Sequence, residues 1–288
     1  MEKRKIKVIN MNKYVRFPGF KLKTLTLSYD DGVRQDKRLI SIMQKHGLKG
    51  TFNINGGLFG NTYEGVEKGR MSKQEALDLY LSSDMEVAIH GYRHLSLAQV
   101  NTELAIEDVI TDRKTLEAMF GRVIKGMAYA NGSYNDEIVD LLKKSGIHYS
   151  RTTISTEKFD IPTDWLRLPA TCHHNNARLM EIAKEFAEQK PDGYYWRNKL
   201  QMFYLWGHSY EFDNNDNWEV IEKFAEYMGG REDVWYATNG EIFEYLQAAE
   251  GLQFSVDGSF VKNSSSVDIY IDLIGKQCII PAGKTVKI

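Results

Sequence analysis

The feature of this 288-residue sequence that most restricts its fold is a repeated alternation of short apolar segments with amphipathic ones. Residues 24–29 are typical of a β-strand, residues 35–46 carry apolar side chains at helical spacing, and residues 50–55 are again strand-like. Repeated βα units form parallel sheets, and the loops after the strands gather at one edge. We therefore expect an α/β fold with its site at the carboxyl ends of parallel strands.

The alternation continues to residue 249. Further predicted strands are 86–89, 123–129, 147–152, 166–169, 200–206 and 234–237, and further predicted helices are one opened by a capping box at Ser72, then 101–120, 136–144, 176–188, 218–228 and 241–249. Residues 211–217 are acidic and amide-rich, which predicts a surface loop.

The chain changes character near its end. Residues 254–256, 267–271 and 278–280 are β-branched or alternate in polarity, with turn-forming pairs between them. We predict a small antiparallel β appendage at residues 251–288, after a main domain at residues 1–250. Its expected role is to cover a sheet edge, while contact with a second subunit or with carbohydrate stays open.

Composition argues against some classes of function. A formal net charge of -2 and the lack of a basic stripe make nucleic acid an unexpected partner. Cys172 and Cys278 lie far apart in sequence and fit buried thiols better than a disulfide. No stretch is long and apolar enough for a bilayer, and the basic first residues lack a signal-peptide core. We expect a soluble protein without a membrane partner, cytoplasmic or secreted with its signal absent from this chain, and leave a homo-oligomer open.

Two acidic residues end the first strand, and two histidines follow a later one. Asp30 and Asp31 precede a glycine, and His90 and His94 come directly after residues 86–89. If the chain turns helical there, both imidazoles lie on one face and can hold one ion. An ordinary turn and a solvated histidine pair are the alternatives for each motif alone. Their coincidence at strand ends, where α/β enzymes place their chemistry, favours a metal site.

The residues leave the metal open. Two imidazoles and one carboxylate suit a catalytic zinc with a position for water, and also an iron(II) site. Side chains of neighbouring strand residues point to opposite sides, so Asp30 and Asp31 cannot easily bind the same ion. One carboxylate is then free to act as a general base.

A third apolar strand ends at His208, which places this histidine at the same edge of the sheet. Trp206, Tyr210 and Phe212 surround it in sequence, and such aromatic faces suit sugar rings as well as protein cores. The loop at residues 127–135 is another strand-end element. Its glycine allows a backbone N–H to approach an oxyanion, although a plain turn explains it equally well.

Four segments, in this order and spacing, resemble the motifs of the polysaccharide deacetylases (NodB homology, carbohydrate esterase family 4). They are Ser-Tyr-Asp-Asp-Gly at 28–32, His-Gly-Tyr-Arg-His at 90–94, Ala-Tyr-Ala-Asn-Gly-Ser-Tyr-Asn at 128–135 and Trp-Gly-His at 206–208. The resemblance covers residues 21–249. It implies an irregular (β/α) barrel of that type and a metal-dependent hydrolase that removes N- or O-acetyl groups from a saccharide substrate.

The resemblance also implies a role for individual residues. Asp30 matches the general base, and His208 matches the general acid. Asp31, His90 and His94 match the metal ligands, for which zinc is the expected ion and cobalt or nickel would also serve.

The third motif departs from the family pattern. Tyr129 and Asn131 match substrate and oxyanion positions, with the backbone N–H of Asn131 as the donor, and Trp206 replaces a leucine that lines the acetyl pocket. The usual arginine that pairs with the base is Ala128 here. Without that cation the pKa of the base would rise.

Arg167 is the candidate substitute for the missing arginine, with Asp164 to orient it or to tune His208. A surface ion pair is an equally good explanation of Arg167.

Two other functions fit the same residues. A saccharide-binding protein that lost turnover is motivated by Ala128 and Asn131. An iron(II) enzyme with the same ligands leaves Asp30 unexplained. His173 and His174 can suggest a second zinc site, but no Cys-x-x-Cys partner exists, and we interpret them as loop residues that could contact substrate.

Overall fold

A computed structural model describes residues 14–60, 69–191 and 198–288 of the chain. The basic first residues lie outside these ranges. The strands are β1 (Val15–Arg16), β2 (Lys23–Asp30), β3 (Gly50–Ile54), β4 (Glu86–Ile89), β5 (Gly126–Ala128), β6 (Tyr149–Ser155), β7 (Leu168–Ala170), β8 (Cys172–His173), β9 (Gln201–Gly207), β10 (Val234–Tyr236), β11 (Gln253–Phe254), β12 (Phe260–Lys262), β13 (Ile269–Leu273), β14 (Lys276–Ile280) and β15 (Thr285–Lys287). The helices are α1 (Asp36–Lys45), α2 (Lys73–Leu81), α3 (Thr102–Phe120), α4 (Asp136–Lys144), α5 (Leu179–Glu188), α6 (Tyr210–Asn214), α7 (Glu219–Met228) and α8 (Asn239–Glu250).

The strands from β2 to β10 form one parallel sheet in the order β7-β6-β5-β4-β3-β2-β9-β8, with β10 also beside β2. Only Thr171 separates β7 from β8. This extended segment pairs with β6 through β7 and with β9 through β8, and the Thr171 N–H donates to Tyr204 O at 2.9 Å. One segment thus joins both ends of the sheet, which confirms the predicted irregular (β/α) barrel.

Strand β2 lies at the centre of this barrel. It pairs with β9 along most of its length, with β10 near its start, and with β3 near its end, where Asp30 lies beside Asn53. Every residue of β2 is buried, as expected for a parallel strand with neighbours on both sides and helices over the sheet. The carboxyl ends of β2, β4 and β9 therefore meet at one edge.

Helix ends follow the predicted chemistry in several places. The capping box at the start of α2 is present, since Glu75 N–H donates to Ser72 Oγ at 3.2 Å and Ser72 N–H donates to Glu75 Oε2 at 2.9 Å. Helix α3 ends at Gly121, whose φ of 65° stops the helix.

One predicted loop is wrong. The composition of residues 211–217 predicts a surface loop, but α6 occupies residues 211–214 of this segment. Phe212 anchors the short helix because its side chain is buried against Trp218, with ring centroids 4.9 Å apart. Tertiary packing thus overrides the turn-forming composition of the segment.

The C-terminal residues form the predicted antiparallel appendage. It has two small sheets, one of β11, β12 and β15 and one of β1, β13 and β14. Because β1 leads into the start of β2, the second sheet lies toward the amino end of that strand. The boundary at residue 250 stays a prediction.

Cys172 is a buried free thiol and Cys278 a partly buried one. None of the described helices has the length and apolar character needed to cross a membrane.

Candidate active site

Asp30 is the last residue of β2, and Asp31 begins the turn that follows. Asp31 has a φ of 82°, and its N–H donates to Asn53 O at 2.9 Å. The turn gives the two buried carboxylates different neighbours. Asp31 Oδ1 lies 3.6 Å from His94 Nε2, whereas Asp30 Oδ2 lies 3.8 Å from the Nε2 atoms of His90 and His208.

His90 and His94 lie in a turn after β4, so the condition that the chain turns helical there is not met. Gly91 and His94 have φ values of 84° and 57°, which an α-helix does not allow. A Cβ on Gly91 would lie 2.8 Å from Asp108 Oδ2, so both conformation and space require glycine. The turn still brings the imidazoles together, with ring centroids 4.8 Å apart.

Asp31, His90 and His94 offer ligand atoms that lie within 4.8 Å of one another. His90 Nδ1 lies 2.9 Å from Ala128 O, which places the proton on Nδ1 and leaves the Nε2 lone pair for an ion. Burial, followed by the neighbouring His90, lowers the pKa of His94 to about 4, so its imidazole is neutral at pH 7. Two imidazoles and a carboxylate are a donor set that fits divalent zinc.

Two residues that sequence reasoning missed hold these candidate ligands. Arg70 Nη2 donates to Asp31 Oδ1 at 2.7 Å and to Asn55 Oδ1 at 3.2 Å. Asn55 Nδ2 in turn donates to the backbone oxygens of His90 at 3.0 Å and Gly91 at 2.6 Å. A buried polar network therefore links both halves of the ligand set, and no local motif marks either residue.

Asp30 is a buried carboxylate enclosed by donors. Arg151 Nη2 donates to its Oδ2, and Asn53 Nδ2 donates to its Oδ1 at 2.8 Å. Burial alone would raise the pKa of Asp30, but the Arg151 guanidinium, followed by His90, His208 and Asn53, holds that pKa below its ordinary value. Asp30 is thus ionised at pH 7, the state that a general base needs.

Arg151, rather than Arg167, pairs with Asp30. Arg167 forms a surface ion pair with Asp164 and Asp136, at 2.6 Å in each case, so its predicted role beside Asp30 is wrong. Arg151 on β6 lies directly beside Ala128 on β5. The cation missing at position 128 is therefore supplied from the neighbouring strand, where the small alanine leaves room for it.

His208 follows β9 and lies between two carboxylates. Its Nδ1 is 3.1 Å from Glu211 Oε1, and its Nε2 faces Asp30. Burial lowers the pKa of His208, but Glu211, then Asp30 and Asp31, outweigh burial and raise it. Glu211, and not the predicted Asp164, is the tuning partner, three residues after His208 on the unpredicted helix α6.

The remaining predicted substrate residues separate into two groups. The ring of Trp206 packs under the Arg151 guanidinium at 4.2 Å and near His208, with centroids 5.9 Å apart. Asn131, with a φ of 56°, is exposed at the end of β5, and its Nδ2 donates to Ser96 Oγ. The side chain of Tyr129 instead leaves the site, since its hydroxyl donates to Leu166 O at 2.8 Å; a substrate contact by this side chain is not compatible with the structure.

Fold and site together define an α/β barrel protein with a three-residue candidate metal centre beside a paired acid and base. Residues 19–150 match the family model described as polysaccharide deacetylase. This match, over somewhat less than half of the chain, confirms the resemblance seen in the motifs of the segment. The match includes Asp30, Asp31, His90 and His94, and ends before His208. No curated protein matches the chain significantly.

Of three similar solved structures, one shares the fold at a TM-score above 0.5. A Mycobacterium smegmatis protein assigned to the polysaccharide deacetylases aligns over 82% of this chain and 94% of its own, with a TM-score of 0.55 and 15% identity. A family 4 carbohydrate esterase from Streptomyces lividans, in complex with acetate, has a TM-score of 0.48 at 15% identity over 73% and 90% of the two chains. A CE4-family pseudoenzyme from Bacillus anthracis has a TM-score of 0.46 at 16% identity over 80% and 68%.

Proposed function

We propose that this protein is a metal-dependent hydrolase that removes N- or O-linked acetyl groups from a saccharide. The observation that carries the proposal is the state of Asp30, a buried carboxylate kept ionised by Arg151 between a candidate metal centre and His208. An ionised carboxylate beside a candidate metal centre is what a general base requires. Arg151 also supplies a positive charge beside the base, where the family pattern has an arginine and this chain has alanine at position 128.

Asp31, His90 and His94 would hold the divalent cation, most simply zinc. When bound, such a cation polarises a carbonyl and makes water easier to deprotonate. Asp30 takes the proton of the attacking water, since its carboxylate is ionised and points between His90 and His208. Arg151 and Asn53 hold this carboxylate in place, so it does not rotate away during the reaction.

His208 protonates the departing amine or alkoxide. Its raised pKa keeps a larger share of the imidazole protonated near neutral pH, and its Nε2 faces the same space as Asp30. The backbone N–H of Asn131 is the proposed oxyanion donor, because the residue lies at the end of β5 in the motif that carries this role. Trp206 forms the wall against which the acetyl methyl group packs.

Acetate release tests the proposal. The protein is stripped with a chelator, reloaded with zinc, cobalt or nickel, and incubated with chitooligosaccharides, acetylxylan and peptidoglycan fragments. We expect release that depends on the added metal. Metal-loaded protein that binds glycans but releases no acetate from any substrate would favour the binding-only function, and oxygen consumption with iron would favour an oxygenase.

A further inference from the structure

Glu211 is the common neighbour of three histidines. Its Oε1 lies 3.1 Å from His208 Nδ1, and its Oε2 lies 3.3 Å from His173 Nε2 and 2.8 Å from His174 Nε2. Neither His173 nor His174 touches the candidate metal ligands in any described contact. His173 ends β8 and His174 follows it, beside the end of β9, which the proposed general acid follows.

The proton positions of these imidazoles follow from their other contacts. His173 Nδ1 accepts the backbone N–H of Asn175 at 3.1 Å, so the ring proton is on Nε2, facing Glu211. Neither ring nitrogen of His174 has a hydrogen bond of full geometry in the described residues, but Nε2 lies 2.8 Å from Glu211 Oε2, so the ring proton is best placed on Nε2, facing this acceptor. The ligand atoms of His173, His208 and Glu211 also lie within 4.8 Å of one another, but these protons favour hydrogen bonds to the carboxylate over a cation.

The structure makes specific room for His174. Its fully buried ring stacks between Tyr29 and Phe212, with centroids 5.7 Å and 4.2 Å away. A Cβ at Gly207 would lie 2.0 Å from His174 Nδ1, so the residue before His208 must be glycine for this ring to fit. Burying the polar nitrogens of this imidazole costs free energy unless they are hydrogen-bonded, and the Glu211 carboxylate lies within reach of Nε2.

We propose that His173 and His174 are positioning residues for His208. By donating to Oε2 they fix the carboxylate of Glu211, whose other oxygen then holds the proton of His208 on Nδ1 and leaves Nε2 directed at the reaction. The kinetic part of this inference rests on the proposed deacetylase function. Other groups facing His208 are Asp30, Asp31, Trp206 and Tyr210.

His173 offers the sharper variants, since it is half-buried and its loss threatens the fold less than that of His174. H173A removes the donor, whereas H173Q keeps an N–H near the position of Nε2. We expect H173A to lower kcat about tenfold with little change in KM, as is typical when a residue that orients a metal ligand through a hydrogen bond is lost, and H173Q to recover most of the loss. H46A and H46Q, on a histidine at the end of α1 far along the chain from this cluster, are the matched controls and should leave kcat unchanged.

A double-mutant cycle then asks whether His173 acts through Glu211. In the E211A background, H173A should have no further effect on kcat. Equal losses in H173A and H173Q, a change in KM alone, or additive losses with E211A would each overturn the proposal.

Nitrogen-15 NMR of the imidazoles supplies a readout that needs no turnover. In zinc-loaded wild type and H173Q we expect His208 to be protonated on Nδ1, and in H173A and H174Q to become a mixture of tautomers. If the wild type releases no acetate from any substrate, the proposed function fails while this spectrum still decides the positioning role. An unchanged His208 spectrum in folded H173A would refute it.

Discussion

Each end of the barrel encloses a carboxylate, and the pKa values of these two carboxylates are shifted in opposite directions. At the carboxyl end of β2, Asp30 is paired with Arg151, and its pKa is lowered despite burial. At the amino end of β4, Glu86 accepts hydrogen bonds from Tyr149, Thr51 and the Gly240 N–H at 2.7 to 2.8 Å, and burial raises its pKa.

This difference separates the effect of burial on the pKa of a carboxyl group from the effects of hydrogen bonds and of a neighbouring charge. Glu86 accepts from three neutral donors and Asp30 from one neutral donor, Asn53, so the number of neutral donors does not decide the charge state. The Arg151 guanidinium does, because its opposite charge offsets the loss of water around the ionised carboxylate of Asp30. One end is thereby equipped for proton transfer, while the other joins β3, β4, β6 and α8 structurally.

The largest expected effect comes from removing the charge of Asp30. D30N keeps the size of the side chain and removes the base, so we expect acetate release to fall by about 10²- to 10⁴-fold. Zinc binding should persist, since Asp31, His90 and His94 are unchanged. Full activity of D30N would show that another group is the base; metal analysis after dialysis provides the control.

The next largest effect is expected from removing the positive charge of Arg151. In R151M the pKa of Asp30 should rise, so the acidic limb of kcat/KM, which reports ionisation of the base, moves to higher pH. Breaking one side of a buried pair also costs stability, about 3–5 kcal/mol, measured by urea unfolding. R167M is the matched control, because its surface ion pairs contribute at most about 1 kcal/mol each. An acidic limb that stays in place in R151M would contradict the account of Asp30.

How well the sequence predicted these features depends on how local they are. Asp30, Asp31 and His208 end apolar strands, and strand ends are visible in the local pattern. Arg151 is different, since its relation to Asp30 depends on β6 lying beside β5, a contact between distant parts of the chain.

The two misleading local patterns fail for the same reason, which is a contact between distant parts of the chain. The histidine spacing suggested a helix, but the close approach of Asp108 to Gly91 enforces a turn. The composition of residues 211–217 suggested a loop, but burial of Phe212 orders α6 and so places Glu211 beside His208. In each case a tertiary contact decided what local preference could not.

At the carboxyl end of the barrel, protonation of His94 should not be what releases zinc in mild acid. Protons compete with zinc for imidazole, and a histidine of ordinary pKa near 6.5 loses metal as the pH falls below that value. Because the pKa of His94 is lowered to about 4, its protonation should not weaken zinc binding between pH 6.5 and 5. Equilibrium dialysis of wild type across this range checks it, with NMR titration of His94 in the metal-free protein. Protonation of His94 near pH 6.5 would contradict the expectation.

The smallest effect is expected at the opposite end, in E86Q. The raised folded-state pKa of Glu86 means that this carboxyl group stabilises the fold most fully below its unfolded pKa of about 4.3. That contribution is lost as the pH rises through the folded pKa. Glutamine cannot satisfy all three donors but does not titrate, so E86Q should be less stable than wild type at low pH, with a deficit that shrinks as the pH increases. Thermal unfolding of both proteins from pH 4 to 9 measures this, and acetate release at pH 7 should be unchanged. A deficit that instead grows with pH would mean that Glu86 is held ionised like Asp30, and the contrast between the two ends of the barrel would be lost.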